Sequence, residues 1–344
     1  VGGGSLGASS FVFFRRQTTP FKGFLSRSLR TTSNARDDDD DDDDDVKNPL
    51  RRRGAHEEEG VVVGLEIHLQ LTSLKTKLFS PGSVLRVGAG GSASGSPVVH
   101  AFDRAEPGTL PSPVNEAAVQ CALKLATALH ATCEKVSEFD RKHYFYGDLP
   151  HGYQITQHRK PILTGGRINE NVRVERVQLE MDTGKTLSSL SSSSSSEKSS
   201  NVVDLSRAGA TLLEIVTKPD IRSEEHAVET VSDVIQMARY LEISDANMED
   251  GSIRVDVNVS VRRRRNDPDS NDDDATTKST SVSSERTEIK NLNSLRSIRN
   301  AIKYEKERHG RYLDGVVGAE KVERETRSWD EKLNKTIVLR SKES

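Results

Sequence analysis

VVVGLEIHLQL, residues 61–71, carries an apolar side chain at every second position: Val61, Val63, Leu65, Ile67, Leu69 and Leu71. A period of two is the signature of a strand with one buried face. Glu66, His68 and Gln70 fall between them, so a carboxylate, an imidazole and an amide stand in a row on the opposite face. Taken singly, such a strand needs only water on its polar side.

The pattern returns three times. In QLEMD, residues 178–182, Gln178, Glu180 and Asp182 alternate with Leu179 and Met181. In SIRVDVNVSVR, residues 252–262, Arg254, Asp256, Asn258 and Ser260 alternate with Ile253, Val255, Val257, Val259 and Val261. In RTEIKN, residues 286–291, Arg286, Glu288 and Lys290 share a face. Pairing these strands gives an α+β domain whose sheet has one apolar and one densely charged face. Glu66, Glu180, Asp182 and Asp256, with His68, Arg254 and Lys290 beside them, suit divalent cations and a polyphosphate. Met181 falls on the apolar side of its strand, so any metal role there rests on Glu180.

With 344 residues, a third of them hydrophobic, the chain can bury the core of one large domain or two. No apolar run approaches the roughly 20 residues of a membrane-spanning helix, and no membrane partner is expected. Cys121 and Cys133 lie twelve apart, a spacing that fits no metal knuckle, and so low a count points to a reducing compartment. The net charge of −3 arises within residues 1–45, which hold six Lys/Arg and nine acidic residues, and the remainder is balanced. No broad basic surface follows, so any nucleic-acid contact must be local.

Residues 1–36 carry Arg15, Arg16, Lys22, Arg27, Arg30 and Arg36, many Ser and Thr, and no acid, which is the composition of an organelle transit peptide. The acidic run Asp37–Asp45 reads as a linker that cannot fold alone, making 1–45 one non-globular unit. The folded domain is expected over 58–342. Residues 188–200, nearly all Ser, and 262–284, a mixture without periodicity, read as disordered insertions within it. Helices are expected after Asn115, with Ala118, Cys121, Leu125 and Leu129 inward, after Ser223, and from about Ser294 to Tyr312. On the last of these, Arg296, Arg299, Lys303 and Lys306 lie outward, a solvated face with RNA contact as the alternative. The run FDRKHYFYGDLPHGYQITQ, residues 139–157, interleaves Arg141, Lys142 and His143 with Tyr144, Phe145, Tyr146 and Tyr153. Cations that meet phosphates and rings that stack on bases suit a single-stranded RNA end. TLLEIV, residues 211–216, reads as a short, mostly apolar strand.

Together, GLEIHLQL, FDRKHYFYGDLPHGYQITQ, LEMDTGK, DLSRAGATLLEIVTKPD, NMEDGSIRVDVNVSVR and RTEIKNLNS resemble the B subunit of the tRNA-dependent amidotransferases, the GatB family, from about Val61 to Lys342. The resemblance implies a glutamine-synthetase-like cradle, a mainly antiparallel sheet flanked by helices, with a polar face that takes ATP and Mg²⁺. It implies phosphorylation of Glu misattached to tRNA for Gln, or of Asp on tRNA for Asn, followed by amidation with ammonia from glutamine. An amidase-type A subunit and a small C subunit would be partners, in a mitochondrion or a plastid. By motif match, Glu66, His68, Glu180, Asp182 and Asp256 would hold metal. Arg254, Lys185 and Lys290 would meet phosphates, and Arg141, Lys142, Tyr144 and Tyr153 the tRNA acceptor end. The loop after Phe79 lacks cysteines, as in organellar members, so no zinc is expected. Asp250 and Ser206 replace the usual Glu and Asn. The chain ends in RSKES where the family continues, so the helical tail domain is expected to be absent. Two other readings stay open: a truncated, catalytically idle scaffold that binds the A and C partners, and a glutamine-synthetase-like ligase for a small molecule.

Overall fold

The computed structural model describes residues 60–84, 99–188, 201–265 and 280–341, all within a compact unit that spans Glu59–Ser344. In chain order the elements are β1 (Gly60–Gln70), α1 (Glu116–Leu129), β2 (Thr132–Cys133), β3 (Glu138–His143), β4 (Tyr153–Lys160), β5 (Leu163–Thr164), β6 (Val174–Met181) and β7 (Lys185–Ser188). There follow β8 (Asn201–Asp204), β9 (Thr211–Thr217), α2 (Glu224–Tyr240), β10 (Ile253–Arg265), β11 (Thr280–Ser283), β12 (Thr287–Leu292), α3 (Leu295–Leu313), β13 (Glu325–Asp330) and β14 (Lys335–Ser341).

The first strand lies inside a ten-stranded sheet, ordered β14-β13-β12-β10-β1-β9-β6-β5-β2, with β11 also on β10. Its pairs are antiparallel except β12 with β13. The period-two residues go where their polarity sends them. Val61, Val63, Leu65, Ile67 and Leu69 meet Val177, Leu179, Met181, Leu213, Ile215 and, from β10, Ile253, Val255, Val257, Val259 and Val261 in one apolar core. A one-residue slip would exchange the two faces, so burial of one of them fixes the register. The observed register sets Glu66 opposite Asp256 and His68 opposite both Arg254 and Glu214.

All three helices among the described residues add their apolar stripes to that core: Ala118, Cys121, Leu125 and Leu129 from α1, Val231 and Val234 from α2, Ile298 and Ile302 from α3. Each starts at the expected cap, where Asn115 accepts from Ala117 N–H, Ser223 from His226 N–H and Ser294 from Ser297 N–H. The outward cations of α3 are exposed, and two of them face α2, Lys306 at 3.5 Å from Glu224 and Arg299 at 3.9 Å from Glu225. Cys121 is buried and Cys133 exposed.

The β3–β4 hairpin completes the outer edge of β6 with side chains where a backbone ladder ends. Leu179 N–H donates to Gln157 Oε1 at 2.9 Å, and Gln154 Nε2 donates to the Met181 carbonyl at 2.7 Å. At the hairpin tip, Gly184 N–H donates to the Asp148 carbonyl at 2.8 Å. A Cβ at Gly184 would stand 2.8 Å from the Asp204 carbonyl oxygen, so this approach admits glycine alone.

Parts of the insertions expected to lack structure lie in strands. Residues 262–265 extend β10, and Thr280–Ser283 folds back on them as β11, with Arg262 opposite Ser283 and Arg265 opposite Thr280. Ser284 also has a fixed place, its hydroxyl accepting from Val261 N–H at 2.9 Å. The expectation of disorder over 262–284 is therefore corrected at both ends, because backbone pairing needs no hydrophobic pattern. Likewise Ser188 ends β7, which pairs with β8. Residues 189–200, 266–279 and the N-terminal 1–45 lie outside the described residues. No described helix is long and apolar enough to cross a membrane.

Candidate active site

The polar face of the sheet is a floor built from five strands. β1 contributes Glu66 and His68, β6 Gln178 and Glu180, β9 Glu214, β10 Arg254, Asp256 and Asn258, and β12 Glu288 and Lys290. Two groups of three ligating side chains form on it, each with atoms within 4.8 Å of one another. One is His68, Glu180 and Glu214, and the other Glu66, Asp256 and Glu288. His68 stands between the groups, its Nδ1 3.7 Å from Glu180 Oε1 and its Nε2 3.9 Å from Asp256 Oδ2.

Cations and amides hold the carboxylates in place. Lys290 Nζ lies 2.7 Å from Asp256 Oδ2 and 2.8 Å from Glu288 Oε1. A bulge in β12 leaves Asn291 in the left-handed region at φ 59°, and its N–H donates to Asp256 Oδ1 at 2.8 Å. Asn258 Nδ2 donates to Glu66 at 2.9 Å, Thr326 Oγ1 to Glu288 at 3.1 Å, and Gln178 Nε2 to Glu214. Asp182, just past the end of β6, sits between two guanidiniums. Arg254 is hydrogen-bonded to Oδ1 at 2.8 Å, while Arg207 Nε approaches Oδ2 to 3.0 Å without hydrogen-bond alignment.

Charge at this floor is strained in one direction. Burial, and then the neighbouring charge of Glu214, push the Glu180 carboxyl up to about 7, against the pull of His68 and Lys142. Burial opposes the charges of Arg254 and Lys290 too, but Asp182, Asp256 and Glu180 together outweigh it for the first, and Asp256 with Glu288 for the second, so both are held above their ordinary range. Glu180 is 2 % exposed, and its Oε2 is buried without a hydrogen-bond partner. An orphaned carboxylate oxygen inside a His/Glu/Glu group fits a cation, because a divalent ion would satisfy it and cancel the Glu180–Glu214 repulsion.

Over one end of the floor stands the β3–β4 hairpin. Tyr144 is half-buried there, and its phenol is pushed up to about 12 by burial and then by Asp148, Glu180 and Asp182. Lys142, on β3, is close enough for Glu180 to feel its charge. Arg141 lies over the Tyr153 ring at 4.7 Å. Beyond Tyr144 the rings of Phe145 and Tyr146 are exposed, with Tyr146 edge-on to Tyr144 at 5.4 Å.

Glu66, His68, Glu180 and Asp256, singled out from the alternation, thus come together with Asp182, Arg254 and Lys290 at their border. Lys185 stands apart, exposed on the separate β7–β8 ladder opposite Asp204. Glu214 and Arg207 escaped the sequence reading. The signal for Glu214 was a carboxylate in the middle of a strand whose seven residues are all buried.

The described residues thus form a mainly antiparallel α+β domain whose sheet carries two groups of potential ligating side chains on one face. The chain belongs to the GatB/GatE catalytic domain family, whose model matches residues 61–344. It is 48% identical over 302 residues to the B subunit of the chloroplastic/mitochondrial glutamyl-tRNA(Gln) amidotransferase of Ostreococcus tauri, covering 82% of this chain and 51% of the relative. It is 44% identical over 287 residues to the B subunit of the aspartyl/glutamyl-tRNA(Asn/Gln) amidotransferase of a Wolbachia of Brugia malayi (82% and 54%). To that of Legionella pneumophila strain Corby it is 39% identical over 295 residues (83% and 56%). The chain spans about half the length of the curated relatives it matches.

Proposed function

We propose that this chain is the phosphorylating and amidating part of the B subunit of a tRNA-dependent amidotransferase that works in an organelle, mitochondrion or plastid. Its substrates are ATP and a tRNA for Gln misacylated with Glu. The observation that carries the reading is the pair of adjoining three-ligand groups, His68–Glu180–Glu214 and Glu66–Asp256–Glu288, on one sheet face. Relatives named as the B subunits of organellar glutamyl-tRNA(Gln) amidotransferases support the substrate and the compartment.

In this reading a side-chain carboxylate oxygen of the aminoacyl group attacks the γ-phosphorus of ATP and ADP leaves. Ammonia, supplied from glutamine by an amidase-type A subunit joined through a small C subunit, then attacks the acyl carbon and displaces phosphate. Mg²⁺ held by the two groups would neutralise phosphate charge and align the transfer, which is mainly a matter of positioning and electrostatics. Arg254 and Lys290, charged and partly exposed at the border, place the polyphosphate. Tyr144 keeps its proton at neutral pH and so serves as a hydrogen-bond donor toward the reacting carboxylate. Arg141, Lys142 and Tyr153 hold the acceptor end, and the hairpin that carries them keeps water from the activated acyl group.

The test is ATP-dependent ADP formation with misacylated tRNA, on the full-length chain assembled with its partner subunits. Glu66→Gln removes one anionic ligand on the polar face without opening a hole in the core. The rate should fall roughly 10²-fold or more, the scale of other preorganised electrostatic groups. Glutamine hydrolysis should persist. Parental ADP formation by the variant would reduce Glu66 to a solvated carboxylate and end this reading.

A further inference from the structure

Away from the floor, Lys77 is only 1 % exposed, and its Nζ lies 2.9 Å from Asp103 Oδ2. A buried ion pair seldom stabilises a fold better than apolar side chains of the same volume. This one also sits at a junction. The Lys77 N–H donates to the Gly82 carbonyl at 3.0 Å, and its carbonyl accepts from Asn115 Nδ2 at 3.3 Å, the side chain that also caps α1. Asp103 Oδ2 accepts a second hydrogen bond from His100 N–H at 2.9 Å. The pair is therefore anchored to two loops and a helix.

Its other side meets the turn Arg207–Ala210. Gly209 has φ +80°, and a Cβ there would stand 3.0 Å from Asp103 Oδ1 and 3.5 Å from Lys77 Cδ. That Oδ1 is buried without a hydrogen-bond partner. The Gly209 carbonyl accepts from Leu78 N–H at 3.1 Å, while Gly209 N–H donates to the Asp182 carbonyl at 2.9 Å. Asp182 N–H donates in turn to the Ala210 carbonyl at 2.8 Å. The turn is gripped between the Lys77 segment and Asp182, and it launches the Arg207 guanidinium toward the Asp182 carboxylate.

We infer that Lys77 and Asp103 are positioning residues: their buried pair sets the Arg207–Ala210 turn against Asp182 and so fixes the Arg207–Asp182–Arg254 arrangement at the border of the floor. The inference rests on the phosphoryl-transfer reading above. Without Lys77, Asp103 becomes a buried charge with no counter-charge. It must move, and the closely packed Gly209 turn must move with it.

Two variants in the full-length assembled enzyme test this, read as ADP formation with misacylated tRNA. Lys77→Met should lower kcat at least roughly tenfold, as small misplacements at a reacting centre do, with the KM for ATP changed less than about twofold. Placed on Arg207→Gln, the same change should cost less than about twofold more, because residues acting through one another are not additive. Gly209→Ala keeps both charges and displaces only the turn. It should reproduce the kcat loss, and it carries the test if Lys77→Met does not fold. Parental kcat in Gly209→Ala, or an equal loss from Lys77→Met in both backgrounds, overturns the inference and leaves the function standing. A parent enzyme that forms no ADP overturns the function, and this inference with it.

Discussion

Glu180 is held where its own charge is penalised. Burial and Glu214 raise its carboxyl from 4.5 to about 7, so the folded chain binds this proton more tightly than the unfolded chain does. Stability then falls as pH rises from about 4.5 to about 7, and stays reduced above that window. Glu180→Gln should remove this dependence. In the presence of a chelator at pH 8 the variant should be more stable than the parent by about 1–3 kcal/mol, the order expected for such a shift. Thermal unfolding at pH 5 and pH 8 reads it, and a variant less stable than the parent at pH 8 would contradict the electrostatics described. The same variant should lose catalysis, a trade of activity for stability that marks ligands held in readiness. Glu66, His68, Glu180 and Asp256 were legible in the sequence because each alternates with apolar neighbours. Glu214 was not, because Leu212 and Val216, its neighbours on the same face, are apolar and erase the alternation. Arg207 gave no signal at all, since a turn has no period and its partner Asp182 arrives from another strand.

Helix α3 shows how an element can bury what its sequence presents as surface. Leu295, Ile298 and Ile302 read as its inward stripe, but the run YEKERHGRYL, residues 304–313, carries that stripe on in charged residues. Glu305, Arg308 and His309 are buried. Arg308 lies 2.8 Å from both Glu305 and Glu325, and His309 bonds Ser284 at 2.8 Å and Thr287 at 3.0 Å. Arg327 of β13 joins Glu325 and Glu320, each at 2.8 Å. These partners come from β12, β13 and the segments before each of them, so only the fold reveals them. Burial opposes ionisation of Glu305, but bonds from His309, Arg308 and Thr336 hold its carboxyl below the ordinary range. A depressed folded value contributes stability at pH values above about 4.5 that is lost as pH falls through that region. Glu305→Gln should therefore cost about 3 kcal/mol or more at pH 7, as removal of one partner from a buried ionic cluster does. The gap to the parent should narrow in acid, and denaturant unfolding at pH 7 and pH 4 measures it. A difference that is equal at both would contradict the network. β13 and β14 were likewise illegible beforehand, because Glu325 and Arg327 satisfy each other in place of apolar contacts.

Across the whole molecule, one sheet collects side chains from Glu66 to Lys290 onto a single floor, and the helices stay on the other side. The alternation in four strands was enough to foresee the two faces, the α+β class and most of the floor. It could not foresee the division of that floor into two three-ligand groups, which depends on register: Glu66 against Asp256, and His68 against Glu214. This division is the central claim, and counting Mn²⁺ bound to the full-length chain with a non-hydrolysable ATP analogue tests it most directly. The two groups predict two Mn²⁺ per chain, with one lost in Glu66→Gln and the other lost in Glu214→Gln. A parent chain that binds no Mn²⁺ saturably, or a count that neither substitution changes, would contradict it.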